Sequence, residues 1–222
     1  MILAVLLLCF STVAFALHLA SCLSVARRGG KLVPYTDDLP AVTIVRPISQ
    51  ADAYLRETLE STFRVAGPDA EILFCAARES DSAVPAARAL IAKYPQRAAR
   101  LLIGDAPISQ NPKLNNCVKG WHAASHDLVV FVDSNVMLPA DYLARMLAVW
   151  DDGCGMVTAP PVGGSPESFW ATVECAFLNT HQARWQLFAD DLGMGFAQGK
   201  NLMFRKSILD PLGGIEPYNA AP

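Results

Sequence analysis

The sequence has no charged residue between Ile2 and Ala26, and taken as a whole it has no basic surplus. Over 222 residues, 18 Lys+Arg stand against 21 Asp+Glu, a formal net charge of −3. Such a chain is a poor ligand for nucleic acid, so no nucleic-acid partner is expected. No two of the six cysteines (Cys9, Cys22, Cys75, Cys117, Cys154, Cys175) form a C-x-x-C pair. The spacing therefore argues against a zinc cage or a disulfide framework and for buried, reduced thiols. No internal repeat and no low-complexity tract is present. Charged residues make up 18%, below the roughly 25% of ordinary soluble domains, while hydrophobic residues reach 52%. That balance excludes disorder and leaves an apolar surplus to be located.

Much of the surplus lies in residues 1–26. At about 1.5 Å per residue this run is long enough to cross a hydrocarbon core of about 30 Å. Arg27, Arg28 and Lys31 follow at once. Basic residues on that flank predict an uncleaved single-pass anchor with the rest of the chain cytoplasmic, at a bacterial inner membrane. A cleaved signal peptide would need a positive n-region, which is missing. Lipoprotein processing at Cys22, after Leu19-Ala20-Ser21, is a second alternative. His18 reads as a polar residue the helix tolerates, although an ionisable group at that depth can be functional.

Residues 27–40 read as a linker broken by Pro34, Asp37, Asp38 and Pro40, and residues 41–222 as one domain. Within it, short β-branched runs alternate with helical periodicity. Strands are expected at 41–45, 71–75, 100–103, 127–132, 155–158 and 201–205. Helices are expected at 54–63, 85–94, 116–125, 141–150 and 168–190. The alternation predicts an α/β sandwich around a mostly parallel sheet.

In such sheets ligands bind beyond the carboxyl ends of the strands. The residues placed there are Arg46-Pro47, the run Ala76 to Asp81, and Asp133-Ser134-Asn135. Asp133 ends an apolar run in which its charge would be costly. With Ser134 and Asn135 it offers hard oxygen ligands for Mg²⁺ or Mn²⁺, or else a plain turn. Lys113 precedes a helix and can meet a diphosphate, while Asn115 or Asn116 can cap that helix.

Together these pieces resemble the GT-A type glycosyltransferases, and more closely the ceramide glucosyltransferase family with its bacterial hopanoid-biosynthesis relatives. The markers are Val45-Arg-Pro47, Glu71-Ile-Leu-Phe-Cys75 with Asp81, Asn111-Pro-Lys-Leu-Asn-Asn116, the run Asp127 to Asn135, Gly195 to Lys200, Arg205-Lys206, and Leu209 to Gly214. The resemblance implies a Rossmann-like GT-A sandwich that moves a hexose from a UDP-sugar to a membrane lipid, ceramide or hopanoid-like. It implies donor-side roles for Arg46, Asp81, Lys113, Asn116, Asp133, Gln198 and Lys200, with Gly199 beside the last two. Asp133 would be the metal carboxylate, for Mg²⁺ or Mn²⁺. Arg78 stands where many relatives carry an extra acid, which makes Glu79 a rival to Asp81. Thr180, His181 and Arg184 fall on the acceptor side, though Arg184 could instead pair with Glu174 or Asp190.

The family pattern continues with a third acidic site and a Gln-x-x-Arg-Trp motif. After Gly213-Gly214 this sequence reaches Glu216 and then Pro222 without them. The resemblance therefore implies a GT-A sandwich incomplete at its C-terminus, impaired in transfer and lacking an identifiable catalytic base. A non-catalytic nucleotide-sugar binder, or a decayed fragment, is the alternative. A membrane-tethered interaction domain without a ligand is the third reading.

Overall fold

The computed structural model describes residues 1–28, 39–105, 107–151 and 153–216. They form two compact units. One joins residues 1–28 to 160–198, and the other holds residues 39–159 and 199–216. The expected linker lies for the most part outside the described residues. The segment 160–198, expected within one continuous domain, instead clusters with the N-terminal helix.

The larger unit is built on a six-stranded sheet. Its strands are β1 (Val42–Pro47), β2 (Glu71–Ala76), β3 (Ala98–Ile103), β4 (Leu128–Val132), β5 (Met156–Val157) and β6 (Asn201–Arg205). The spatial order is β3-β2-β1-β4-β6-β5. β1 pairs in parallel with β2 and β4, and β2 with β3, whereas β6 is antiparallel to both β4 and β5. The sheet is thus mostly parallel, as expected, with β6 the reversed strand.

β1, β2 and β4 are buried along their whole length. That explains why they read as unbroken apolar runs rather than alternating ones: helices cover both faces. Ile44, Ile72, Phe74, Val130 and Met203 point into one layer with α2 (Leu55–Val65), α3 (Val84–Lys93) and α5 (Tyr142–Ala148). Leu59, Phe63, Leu90 and Leu143 fill it from the helix side. The alternate residues Val45, Leu73, Val129, Phe131 and Phe204 point the other way, onto Val118 and Trp121 of α4 (Pro112–Ala123). α4 seats closely on β1. A Cβ on Gly120 would stand 2.3 Å from Val45 Cγ1, so only glycine permits this approach.

Element boundaries move for local reasons. α4 begins at Pro112, four residues before the expected start, because Asn111 is its cap: the Asn111 side chain accepts from the amides of Lys113 (3.0 Å) and Leu114 (3.4 Å). Asn115 and Asn116, expected as caps, lie inside the helix. Asn115 there accepts from the Ser109 amide (3.0 Å). β1 runs on through Pro47, which needs no donor at the strand's last position.

The smaller unit contains α1 (Ile2–Arg28). Among the described residues it is the one helix long and apolar enough to cross a membrane. α6 (Phe169–Phe177), a π-helical turn (Leu178–Gln182) and α7 (Ala183–Asp191) follow one another without leaving helical backbone angles. α1 lies along α7. Arg28 pairs with Asp190 (2.7 Å) and Asp191 (Nε, 2.9 Å), Ser24 donates to Asp191, and Arg184 meets His18 Nδ1 (3.0 Å) and Cys22 Sγ (3.3 Å).

Candidate functional site

The chain lays β1, β2 and β3 outward in sequence, then returns to the other side of β1 for β4. That reversal places a topological switch point between β1 and β4, where the strand ends part and a crevice opens. A cavity of about 320 Å³ lies there. Pro47, Ile48 and Ser49 wall it after β1, Ala77 and Asp81 after β2, Asn111, Pro112, Lys113 and Asn116 at the start of α4, and Asp133, Ser134 and Asn135 after β4. The volume falls at the lower end of the range for small-molecule sites.

Asp133 is the centre of charge. Its side chain is 15% exposed. Lys113 Nζ stands 2.6 Å from Oδ1 and Lys200 Nζ stands 3.2 Å from Oδ2. Lys113 also donates to the Gly199 carbonyl (2.6 Å), and Gly199 takes a left-handed φ of +72° that lets the chain turn into β6. The Asp133 amide donates to the Lys200 carbonyl (2.9 Å), which extends the β4–β6 ladder by one bond. Lys200 comes to the β4 tip because β6 runs antiparallel and its first residue, Asn201, is opposite Val132.

Asp81 lines the same cavity, and its Oδ1 accepts from the Ala83 amide (3.1 Å) at the start of the turn into α3. Glu79, its rival, does not line the cavity and instead pairs with Arg88 (2.9 Å) on the surface.

Arg46 has a different place. Its side chain is fully buried, and its Nη2 donates to the carbonyls of Thr58 (2.9 Å), Ser134 (3.4 Å) and Val136 (3.1 Å). Burial lowers its pKa to about 9, against the opposing pull of Tyr142 and Asp133. The guanidinium therefore braces the Ser134–Val136 turn from beneath, and it is the neighbouring Pro47 that reaches the cavity wall.

Lys119 went unremarked in the sequence. Its Nζ donates to the carbonyls of Ala76 (2.6 Å) and Gly104 (2.6 Å) and to Asn116 Oδ1 (3.0 Å). It ties the tips of β2 and β3 to α4, and desolvation lowers its pKa. The available signal was a lysine one helical turn after Asn116, on an otherwise buried helix.

The remaining expected residues lie in the smaller unit. Gln198 donates to Gln186 (2.7 Å). His181 stacks on Phe177 with ring centroids 4.9 Å apart, and Thr180 donates back to Ala176 (2.7 Å). Arg184 pairs with neither Glu174 nor Asp190. Its partners are His18, Cys22 and the Thr180 carbonyl (3.0 Å), and His18 thereby gains a polar partner. In the larger unit Glu216 pairs with His122 (2.7 Å). All six cysteines are free thiols, and burial raises Cys75 and Cys117 to about 12.

For a divalent ion, the donor set is the test. Among the described residues no three His, Cys, Asp or Glu side chains gather as a cage. Asp81, Asp133, Ser134 and Asn135 do bring hard oxygens to one cavity. That set fits Mg²⁺ or Mn²⁺ held by one or two carboxylates together with substrate phosphates.

Strand order, switch-point crevice and the two carboxylates lining it, Asp81 and Asp133, fit a GT-A type glycosyltransferase fold. In agreement, a mannosyltransferase from Pyrobaculum calidifontis, solved with GDP-Man and Mn²⁺, superposes with a TM-score of 0.56 at 21% identity, covering 91% of this chain and 58% of that one. The pattern of glycosyl transferase family 21 matches residues 4–221, and the chain belongs to that family. Ceramide glucosyltransferase 1 of Caenorhabditis elegans is 32% identical over 212 residues, 94% of this chain and 45% of the relative. The ceramide glucosyltransferase of Komagataella phaffii is 38% identical over 119 residues, 52% of this chain and 23% of the relative. The chain thus spans less than half the length of these relatives.

Proposed function

We propose that the cavity between β1 and β4 binds a UDP-sugar and that the chain serves hexose transfer to the hydroxyl of a membrane lipid, ceramide or hopanoid-like. The observation that carries this is the convergence of Asp133, Lys113 and Asp81 on one switch-point crevice. Asp81 would accept hydrogen bonds from the nucleoside, with Asn116 beside it. Lys113 and Lys200 would turn from Asp133 to the diphosphate, neutralising charge as the sugar departs, a contribution that is often the largest in such a transfer. Asp133, with Asn135, would hold Mg²⁺ or Mn²⁺, which supplies Lewis-acid neutralisation of the same diphosphate. Thr180, His181 and Arg184 keep the acceptor-side role, and Gln198 the sugar-side role, that the family resemblance gives them.

α1 would anchor the chain with Arg27 and Arg28 on the cytoplasmic side, at a bacterial inner membrane. An anchored enzyme meets a lipid hydroxyl at the bilayer surface, which suits this acceptor class.

A second reading is donor binding without transfer. Among the described residues the cavity is lined by just two carboxylates, Asp81 and Asp133; with both taken up by the donor in this proposal, the base that transfer needs at the acceptor hydroxyl has no candidate there.

The test is calorimetry of UDP-glucose with Mn²⁺ on the membrane-reconstituted chain and on Asp133→Asn. Affinity at least about tenfold weaker in the variant is expected. Equal binding would remove Asp133 from the donor site. Transfer of labelled sugar from UDP-glucose to ceramide or a hopanoid polyol then separates the two readings.

A further inference from the structure

We infer that Lys119 is a positioning residue for the base of the donor: it holds the Asn116 side chain by its oxygen, so that the amide nitrogen is left to donate to the C4 carbonyl of uracil. The inference rests on the reading of the cavity as a UDP-sugar site and deepens it to the choice of base.

Lys119 itself has no hydrogen to spare. An ammonium group carries three donors and no acceptor. Here they go to the Ala76 carbonyl (2.6 Å), the Gly104 carbonyl (2.6 Å) and Asn116 Oδ1 (3.0 Å). Asn116 walls the cavity, and Lys119 is not among the residues that do. Any effect of Lys119 on a ligand therefore passes through Asn116, one turn earlier on α4.

The orientation of Asn116 follows. Because Nζ can only donate, the atom that faces it is the amide oxygen, and the amide nitrogen is the branch left over. Asn116 is 5% exposed, and its nitrogen meets no acceptor among the described residues. A buried donor without a partner is costly, and an acceptor on a ligand removes that cost. Asn115 differs. It accepts from the Ser109 amide (3.0 Å) and hydroxyl (3.0 Å) and donates to the Ser109 carbonyl (3.1 Å), so both of its branches are used.

Position selects the base. Lys119 ties Asn116 to the end of β2, and Asp81 follows β2 on the same cavity wall. Asp81 Oδ1 takes the Ala83 amide, which leaves Oδ2 as an acceptor. The ammonium groups of Lys113 and Lys200 stand instead with Asp133 at the tip of β4, where a diphosphate fits. Asn116 thus meets the edge of the base far from the phosphates. Uracil offers N3–H to Asp81 and the C4 carbonyl to Asn116. Cytosine would set the lone pair of N3 against a carboxylate and its C4 amino group against the amide N–H, so it is rejected.

The experiment is calorimetry of UDP and of CDP, each with Mn²⁺, on the membrane-reconstituted full chain. The parent is expected to prefer UDP. In Lys119→Met the preference should fall about tenfold, because the released amide can turn its oxygen to the cytosine amino group. Lys119→Arg keeps a donor for Asn116 Oδ1 and should restore it. Asn116→Asp keeps the contact with Lys119 but puts an oxygen where the N–H stood, and it should lower the preference as well. Its added charge acts on both diphosphates alike and cancels in the ratio. If Lys119→Met does not fold, Asn116→Asp decides alone. A parent that binds UDP and CDP equally overturns the inference, as does equal weakening of both in Lys119→Met. A ratio unchanged in Lys119→Met removes Lys119 from the choice of base even where Asn116→Asp lowers it. In these cases the donor site stands. A parent that binds neither nucleotide refutes the donor site and the inference with it.

Discussion

Lys113 holds Asp133: its ammonium stands 2.6 Å from Oδ1 and also 2.6 Å from the Gly199 carbonyl. One lysine thus links the start of α4, the tip of β4 and the turn into β6. With Lys200 on the second carboxylate oxygen, both oxygens of Asp133 face an ammonium group.

Replacing Lys113 should weaken a diphosphate ligand more than a neutral one. Lys113→Met is expected to lower UDP-glucose affinity about tenfold, roughly 1.4 kcal/mol, while uridine binding changes little. Lys113 is 44% exposed, so the difference from the parent should shrink as salt is raised. Calorimetry across an ionic-strength series checks both. Equal loss for uridine would point to a structural role for Lys113.

Glu71 should contribute to acid sensitivity. Its carboxylate is nearly buried and accepts from Arg100 (2.6 Å), Thr43 Oγ1 (2.9 Å) and the Ser125 amide (2.9 Å). Burial works against ionisation, but the Ser125 amide, Arg100 and Thr43 outweigh it and hold the pKa below 4.5. A carboxyl depressed in the folded state stabilises fully above its unfolded value and loses that contribution as pH falls through the folded value. Glu71→Gln is therefore expected to be less stable near neutral pH and to show a flatter stability curve below about pH 4.5. Thermal unfolding of both proteins across that range decides. An unchanged acid limb would remove Glu71 from the account.

Gly120 should not tolerate a side chain. Its Cβ would meet Val45 Cγ1 at 2.3 Å and Cys75 Sγ at 3.2 Å, both on buried strands. Gly120→Ala is expected to destabilise the larger unit by about 1–3 kcal/mol, despite the higher helix propensity of alanine. Denaturant unfolding measures it. A neutral or stabilising result would mean that α4 can move off β1 at no cost.

Much of the framework was legible in the sequence. Strands buried on both faces need continuous apolar runs, so β1, β2 and β4 stood out, and the partly buried β6 was also read at residues 201–205 as found. An apolar run ended by a carboxylate marks a strand tip, because an unpaired charge cannot stay inside a sheet. Asp133 was visible for that reason. Where α4 starts was less visible: three asparagines compete within residues 111–116, and the cap is the one before Pro112, which fits the first helical position. Arg46 misled in another way. At a strand end an arginine can reach outward or fold beneath the turn, and the alternation of β1 does not distinguish the two.

The sequence by itself determined the apolar helix at the N-terminus, the alternation of strands and helices, and the acid at the end of β4, because each rests on local periodicity and the cost of burying charge. Only the tertiary structure decided what surrounds that acid. Lys113 and Lys200 lie far apart along the chain, and they meet Asp133 because α4 packs on β1 through Gly120 and because β6 enters the sheet reversed, with Asn201 opposite Val132. Such contacts follow from strand order and register, which long-range packing sets and no short stretch of residues encodes.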